Sequence, residues 1–211
     1  MKEIKMDDHK EFLSQFSSTL CKIRKGGVSE KSHVQENVLK LLFCTPEWSA
    51  NTDLEKVLVK VSTLNDFYST NIYDTFEVSK AILEIKDFDQ KLRNGSWDLV
   101  TELSEQWFRR KNRRILSFAS KYCANHQPEL FPIYDKLASD ELWALHKINH
   151  FIKDETITNK TKFIEKISED YSFWAETIKS FQKHYELLNF TFREIDWFLW
   201  VKGKERQKTH K

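Results

Sequence analysis

The stretch LSFASKYCANHQPELFPIYD, residues 116–135, reads as a helix, a turn and a restart. Ile115, Leu116, Ala119, Tyr122 and Cys123 recur at helical spacing, so one face turns to a core. Pro128 and Pro132 punctuate the following turn. Asp135 then stands where the next apolar-periodic run begins, the place of an N-cap that accepts hydrogen bonds from the first helical N–H groups. The pattern is helical on both sides of the break, and the rest of the chain repeats it.

Working outward, "RNGS" at 93–96 is a turn, and Thr52 or Asp53 opens a helix carrying Leu54, Val57, Leu58, Val61, Leu64 and Phe67. Toward the N-terminus, Phe12, Leu13, Phe16, Leu20 and Ile23 follow helical spacing up to a Gly26-Gly27 stop, and a helix over 30–44 turns Val34, Val38, Leu41 and Leu42 inward. Toward the C-terminus, Trp174, Ile178, Phe181, Tyr185 and Leu188 form one stripe, and "FREIDWFLW" packs as a core helix. Four glycines and three prolines in 211 residues, with 31% charged and 14% aromatic residues, suit helices joined by short polar turns. The expectation is an all-α fold of about 8–11 helices. A single domain over residues 1–211 is expected, with N-terminal helices over 1–50 packing on the body and a flexible basic tail over 203–211.

Cysteines at 21, 44 and 123 fit neither a disulfide framework nor paired metal or iron–sulfur ligand spacing, which points to a reducing, intracellular setting and no cofactor. The N-terminus has no apolar signal core and no window is long and apolar enough for a membrane span. P-loop, GxSxG and dinucleotide fingerprints are absent. His146 and His150, and Cys123 with His126, have metal-compatible spacing but lack a third ligand, so no metal is assigned.

Net charge is only +2, but "RRKNRR" at 109–114 and the C-terminal "VKGKERQKTHK" concentrate positive charge. On a helix running through 109–125, Arg110, Arg114, Ser117 and Lys121 fall on one face. Neighbouring cations lower the pKa of a lysine amine and make it a better nucleophile. Read from spacing alone, Lys121 is a solvated lysine or a primed amine, and Asp135 is a helix cap or the carboxylate opposite it.

The order of a helix with Lys121, a short turn, "FPIYD" and a further helix resembles the helix-hairpin-helix superfamily of DNA glycosylases, most closely the archaeal enzymes for oxidised guanine. "LNDFYSTNI" at 64–72 is similar to the family helix end that meets the gap left by a flipped base, and "REIDWFLWVKGK" is similar to the closing helix of the archaeal group. The likeness covers roughly residues 50–202, without the superfamily's GxG hairpin or its iron–sulfur cysteines. It implies a monomer that binds damaged or modified double-stranded DNA. Lys121 would attack the anomeric carbon to give a Schiff base able to cleave the strand, with Asp135 assisting. Ser69, Thr70 and Asn71 would fill the gap, and Arg110, Arg113, Arg114 and Ser117 would contact DNA. The alternative is a non-catalytic duplex-DNA or protein-binding module on the same fold.

Overall fold

In the structure, a computed structural model describing residues 6–27 and 30–209, the 116–135 stretch forms the expected helix, turn and restart. Eleven α-helices and no strand occur among the described residues. They are α1 (Met6–Lys22), α2 (Glu30–Cys44), α3 (Leu54–Tyr68), α4 (Thr75–Glu84), α5 (Phe88–Arg93), α6 (Asp98–Lys111), α7 (Leu116–His126), α8 (Lys136–Asn149), α9 (Lys160–Glu169), α10 (Tyr171–His184) and α11 (Phe192–Thr209). The fold is all-α.

Helix α7 is central and packs against α2, α3 and α6. Phe118, Ala119, Tyr122 and Cys123 on it are fully enclosed. The turn after it crosses the interior, because Phe131 and Ile133 are buried. A buried turn must find partners for its carbonyls. Helix α10 supplies them: the Trp174 indole N–H donates to Ile133 O at 3.1 Å, and the Tyr171 hydroxyl donates to Pro132 O. The Tyr134 N–H donates to Ser120 Oγ at 3.0 Å, fastening the end of the turn to α7 beside Lys121.

A second interior latch holds the 49–51 segment. Buried Lys60 on α3 donates to Asn51 Oδ1 at 2.6 Å and Ala50 O at 3.0 Å. The Asn51 amide donates to Asp89 Oδ1 at 2.6 Å, and the Tyr122 hydroxyl donates to Asn51 Oδ1 at 2.6 Å. Burial pushes the Lys60 ammonium down to about 8 against the attraction of Asp89, with Lys56 adding to the drop.

Several details differ from the sequence reading. The region over 97–125, readable as one helix or two, is two helices, because Asn112 takes a left-handed conformation (φ 52°) and its N–H closes α6 on Phe108 O. The buried stripe of α2 is Leu39, Leu42 and Phe43, whereas Val34 and Leu41 are exposed. Helix α10 stops at His184, and the left-handed turn at Glu186 (φ 57°) rotates Leu188 outward and brings Leu187 into the core. The glycines at 26 and 27 close a π-helical turn, Ile23–Gly27.

The tail expected to be flexible from 203 continues α11 to Thr209. Two contacts hold it: Gly203 lies against Leu137, and Arg206 makes a two-pronged ion pair with buried Glu141 at 2.6 and 3.0 Å. Residues 1–5, 28–29 and 210–211 lie outside the described residues, and so do the extreme ends of the expected N-terminal and tail segments.

Candidate functional site

Lys121 and Asp135 meet. The Lys121 Nζ lies 3.5 Å from Asp135 Oδ2, with the lysine side chain 6% exposed and the aspartate 27%. The pairing follows from local structure. Lys121 sits on the turn of α7 that faces the Ser120–Tyr134 fastening, and Asp135 caps α8 by accepting the Leu137 N–H at 2.8 Å. Ser117, one turn before Lys121, accepts an ammonium hydrogen bond at 2.6 Å, and Tyr134 O accepts a longer one at 3.4 Å.

Burial pushes the Lys121 amine below its ordinary range. Asp135 and Asp196 oppose that shift, and Arg193 adds to it. The cation that depresses Lys121 is therefore not one from the 109–114 run. The break at Asn112 carries those arginines off its face.

The three remaining members of the site come from elements far apart in sequence. Tyr68, the last residue of α3, lies with its ring 5.8 Å from the Lys121 amine. Arg193 on α11 donates to the Tyr68 hydroxyl at 2.9 Å and lies 3.9 Å from Asp196 Oδ2. Asp196 has a side chain only 14% exposed. Burial pushes its carboxyl up to about 6, against the attraction of Arg193 and Lys121 and with the help of Asp135.

None of these three was singled out by the sequence reading. The available signal was a lone aspartate inside the apolar run IDWFLW, where a carboxylate has no structural reason to be. A cleft of about 190 Å³ adjoins the cluster, lined in part by Glu36, Lys40, Asn125, Phe131, Ile133 and Arg193. The Asn125 side chain donates to Lys121 O at 2.8 Å, so one side of the cleft is tied to the backbone of the lysine.

The 69–71 loop begins one residue from this site. Asn65 shapes it, accepting from Thr70 Oγ1 and Ile72 N at 2.8 Å each and donating to Ile72 O at 3.0 Å. Ser69 (φ 49°) and Asn71 (φ 57°) are both left-handed, and Arg113 donates to Asn71 O at 3.2 Å. Arg113 also lies over the ring of Tyr73, which is 89% exposed.

Arg110 and Arg114 do not join this group. Arg110 pairs with Glu77 at 2.9 Å and with Glu84, and Arg114 pairs with Glu105 at 2.5 Å and donates to Ser168 O. His146 Nδ1 accepts the Ile152 N–H at 3.1 Å, and Cys123 is sealed in the core. Among the described residues no three His, Cys, Asp or Glu side chains gather as a metal would need. No helix among them is long and apolar enough to cross a membrane.

Residues 9–130 match the HI_0787_N family model, described as an N-terminal domain. The chain belongs to that family. It is also 36% identical over 155 residues to a Haemophilus influenzae (Rd) protein named only as uncharacterized, an overlap covering 74% of this chain and 70% of that one. No solved structure matches it. Neither name carries an activity. The family boundary at 130 falls inside the turn that builds the site: Tyr68, Ser117 and Lys121 lie within the matched segment, and Asp135, Arg193 and Asp196 beyond it.

Proposed function

We propose that this chain binds duplex DNA and acts on a damaged or modified base as an N-glycosylase with lyase capability, Lys121 serving as nucleophile and Asp135 as its counter-charge. The observation that carries this reading is the buried Lys121 amine, lowered in pKa and 3.5 Å from a helix-capping carboxylate. The amine would attack the anomeric carbon as the base leaves. Asp135, fixed by the Leu137 N–H, would stabilise the positive charge that develops on the sugar. The flipped base would lie in the 190 Å³ cleft that Arg193 shares with this cluster, where Phe131 and Ile133 offer apolar contact and Asn125 and Arg193 polar contact.

Phosphate contacts fall to exposed Arg109 and Arg113, since a phosphate at Arg110 or Arg114 would have to displace carboxylates already in place. Those ion pairs favour a second reading, a binding module that keeps the fold without the chemistry. The two separate in one experiment. Incubation with duplexes carrying a panel of oxidised, alkylated and deaminated bases should release a base from at least one, and Lys121→Gln should abolish the release while the protein stays folded. Binding with a steep salt dependence and no release from any duplex supports the second reading.

A further inference from the structure

We propose that the outer face of α11 is a track for an unpaired nucleic-acid strand, on which the indoles of Trp197 and Trp200 stack with bases while Lys204 and Lys208 hold phosphates. This surface works independently of the chemistry at Lys121.

The run FREIDWFLW, expected as a core helix, is core on one side only. Ile195, Phe198, Leu199 and Gly203 of α11 are buried. Arg193, Trp197, Trp200, Lys204 and Lys208 follow one another at intervals of four, three, four and four, which lines them up on the opposite side. From end to end that line covers about 22 Å of helix. Trp200 is 40% exposed, Trp197 is half-buried, and Lys204 and Lys208 are exposed. Indoles left open in this way suit an interface, since each brings a large apolar area with a polar edge.

Charge decides the kind of partner. Glu194 pairs with Arg24, Glu205 pairs with Lys202, and Asp196 lies on the flank beside Arg193, so no carboxylate of α11 stands on the line. Among the described residues Lys204 and Lys208 pair with no carboxylate. The Lys204 Nζ lies 3.5 Å from the centre of the Trp200 ring, and the Arg193 guanidinium lies 5.8 Å from that of Trp197. Cations and π faces therefore alternate along the helix, as phosphates and bases alternate along a strand. At its edge, Gln207 joins the line to an open groove of about 690 Å³, where Lys147 stands exposed and Asp140 and Glu141 are already paired with Lys160 and Arg206.

A single strand fits this face better than a duplex or a lipid surface. The face of a base is open to an indole only where the base is unpaired. A helix lying in a membrane interface needs a continuous apolar face, and that of α11 already packs on α8 and α1. The ammonium over Trp200 is no obstacle. An exposed cation–π contact is weaker than a stacked base, so a phosphate that draws Lys204 away uncovers the ring for stacking.

The test is fluorescence anisotropy of the full chain with a labelled thymidine strand of about ten nucleotides and with an abasic strand of the same length and charge, folding of each variant being checked by circular dichroism. The thymidine strand should bind about tenfold or more tightly than the abasic one. Trp200→Ala should remove that preference. Lys204→Gln should weaken both strands and lower the salt slope by about 0.7. Equal binding of the two strands, or a preference that Trp200→Ala keeps, overturns the proposal. Co-sedimentation with phosphatidylserine vesicles in the absence of any strand binding overturns it in favour of a lipid surface. Lys121→Gln should bind the thymidine strand as wild type does, which keeps this outcome apart from that of the base-release experiment.

Discussion

Two buried lysines, Lys60 and Lys121, separate structure from chemistry at the level of the residue. Lys60 is enclosed and satisfies Ala50 O and Asn51 Oδ1, so Lys60→Met would strand a backbone carbonyl and cost about 1–3 kcal/mol. Lys121 instead donates to the Ser117 hydroxyl and weakly to Tyr134 O, which Ser120 Oγ also reaches, and it faces a partly exposed carboxylate that still caps α8 without it. Lys121→Met should therefore stay within about 1 kcal/mol of wild type while losing activity entirely. Urea unfolding of both variants checks the contrast.

Lys60 also carries a pH signature. Its folded pKa, about 8, lies below the unfolded one, so the unfolded chain binds more protons between those values and the penalty lifts as pH rises. The stability of wild type relative to Lys60→Met should grow by on the order of 1 kcal/mol between about pH 8 and about pH 10. An unchanged difference would mean that Lys60 is not desolvated in solution.

The decisive element is the α7–turn–α8 unit, with α11 laid against it. Gly203 of α11 lies so close to α8 that an added Cβ would meet Leu137 O at 2.6 Å, and Leu137 is two residues past Asp135. Gly203→Ala must push α11 from the first turn of α8, costing about 1–3 kcal/mol. It should also loosen Asp135 and Asp196 relative to Lys121, so a thermal melt and the rate of base release should fall together.

At this scale the sequence was most legible where a boundary is set locally. Asp53 and Asp135 cap α3 and α8 through their own side chains, and the turn after Arg93 is made by Asn94 and a left-handed Gly95. It was least legible where packing chooses between faces. Helix α2 has apolar residues on more than one side, and its contacts with α3 and α7 selected Leu39, Leu42 and Phe43 over Val34 and Leu41. The Asn112 break left no strong mark either, since asparagine adopts left-handed φ by permission, without compulsion. In the site, Lys121, Asp135 and Ser117 could be read because they lie in one continuous segment. Tyr68 and Arg193 could not, because only tertiary packing brings α3 and α11 to α7, and Asp196 left no more than the mark of a carboxylate inside an apolar run.

For the whole molecule, the family segment and the remainder share one interior. Phe12 of α1 stacks on Tyr185 with ring centroids 3.7 Å apart, and Phe16 packs on Phe190 and Phe198 at 4.8 and 4.7 Å. Tyr171 and Trp174 of α10 are fully buried beneath the 131–134 turn. A fragment of residues 1–130 would expose the faces that α10 and α11 cover, surface worth several kcal/mol per large aromatic. Differential scanning calorimetry of that fragment should show no cooperative transition, whereas the full chain should show one. A sharp, reversible transition in the fragment would instead make the family segment an autonomous unit and the site a docked interface.

On the proposed reading the Lys121 amine is a nucleophile held against Asp135. Borohydride trapping on an abasic-site duplex, followed by peptide mapping of the adduct, tests it most directly. The account predicts one covalent adduct mapping to Lys121, absent from Lys121→Gln and strongly reduced in Asp135→Asn. An adduct that maps to another lysine, or that survives Lys121→Gln, contradicts it.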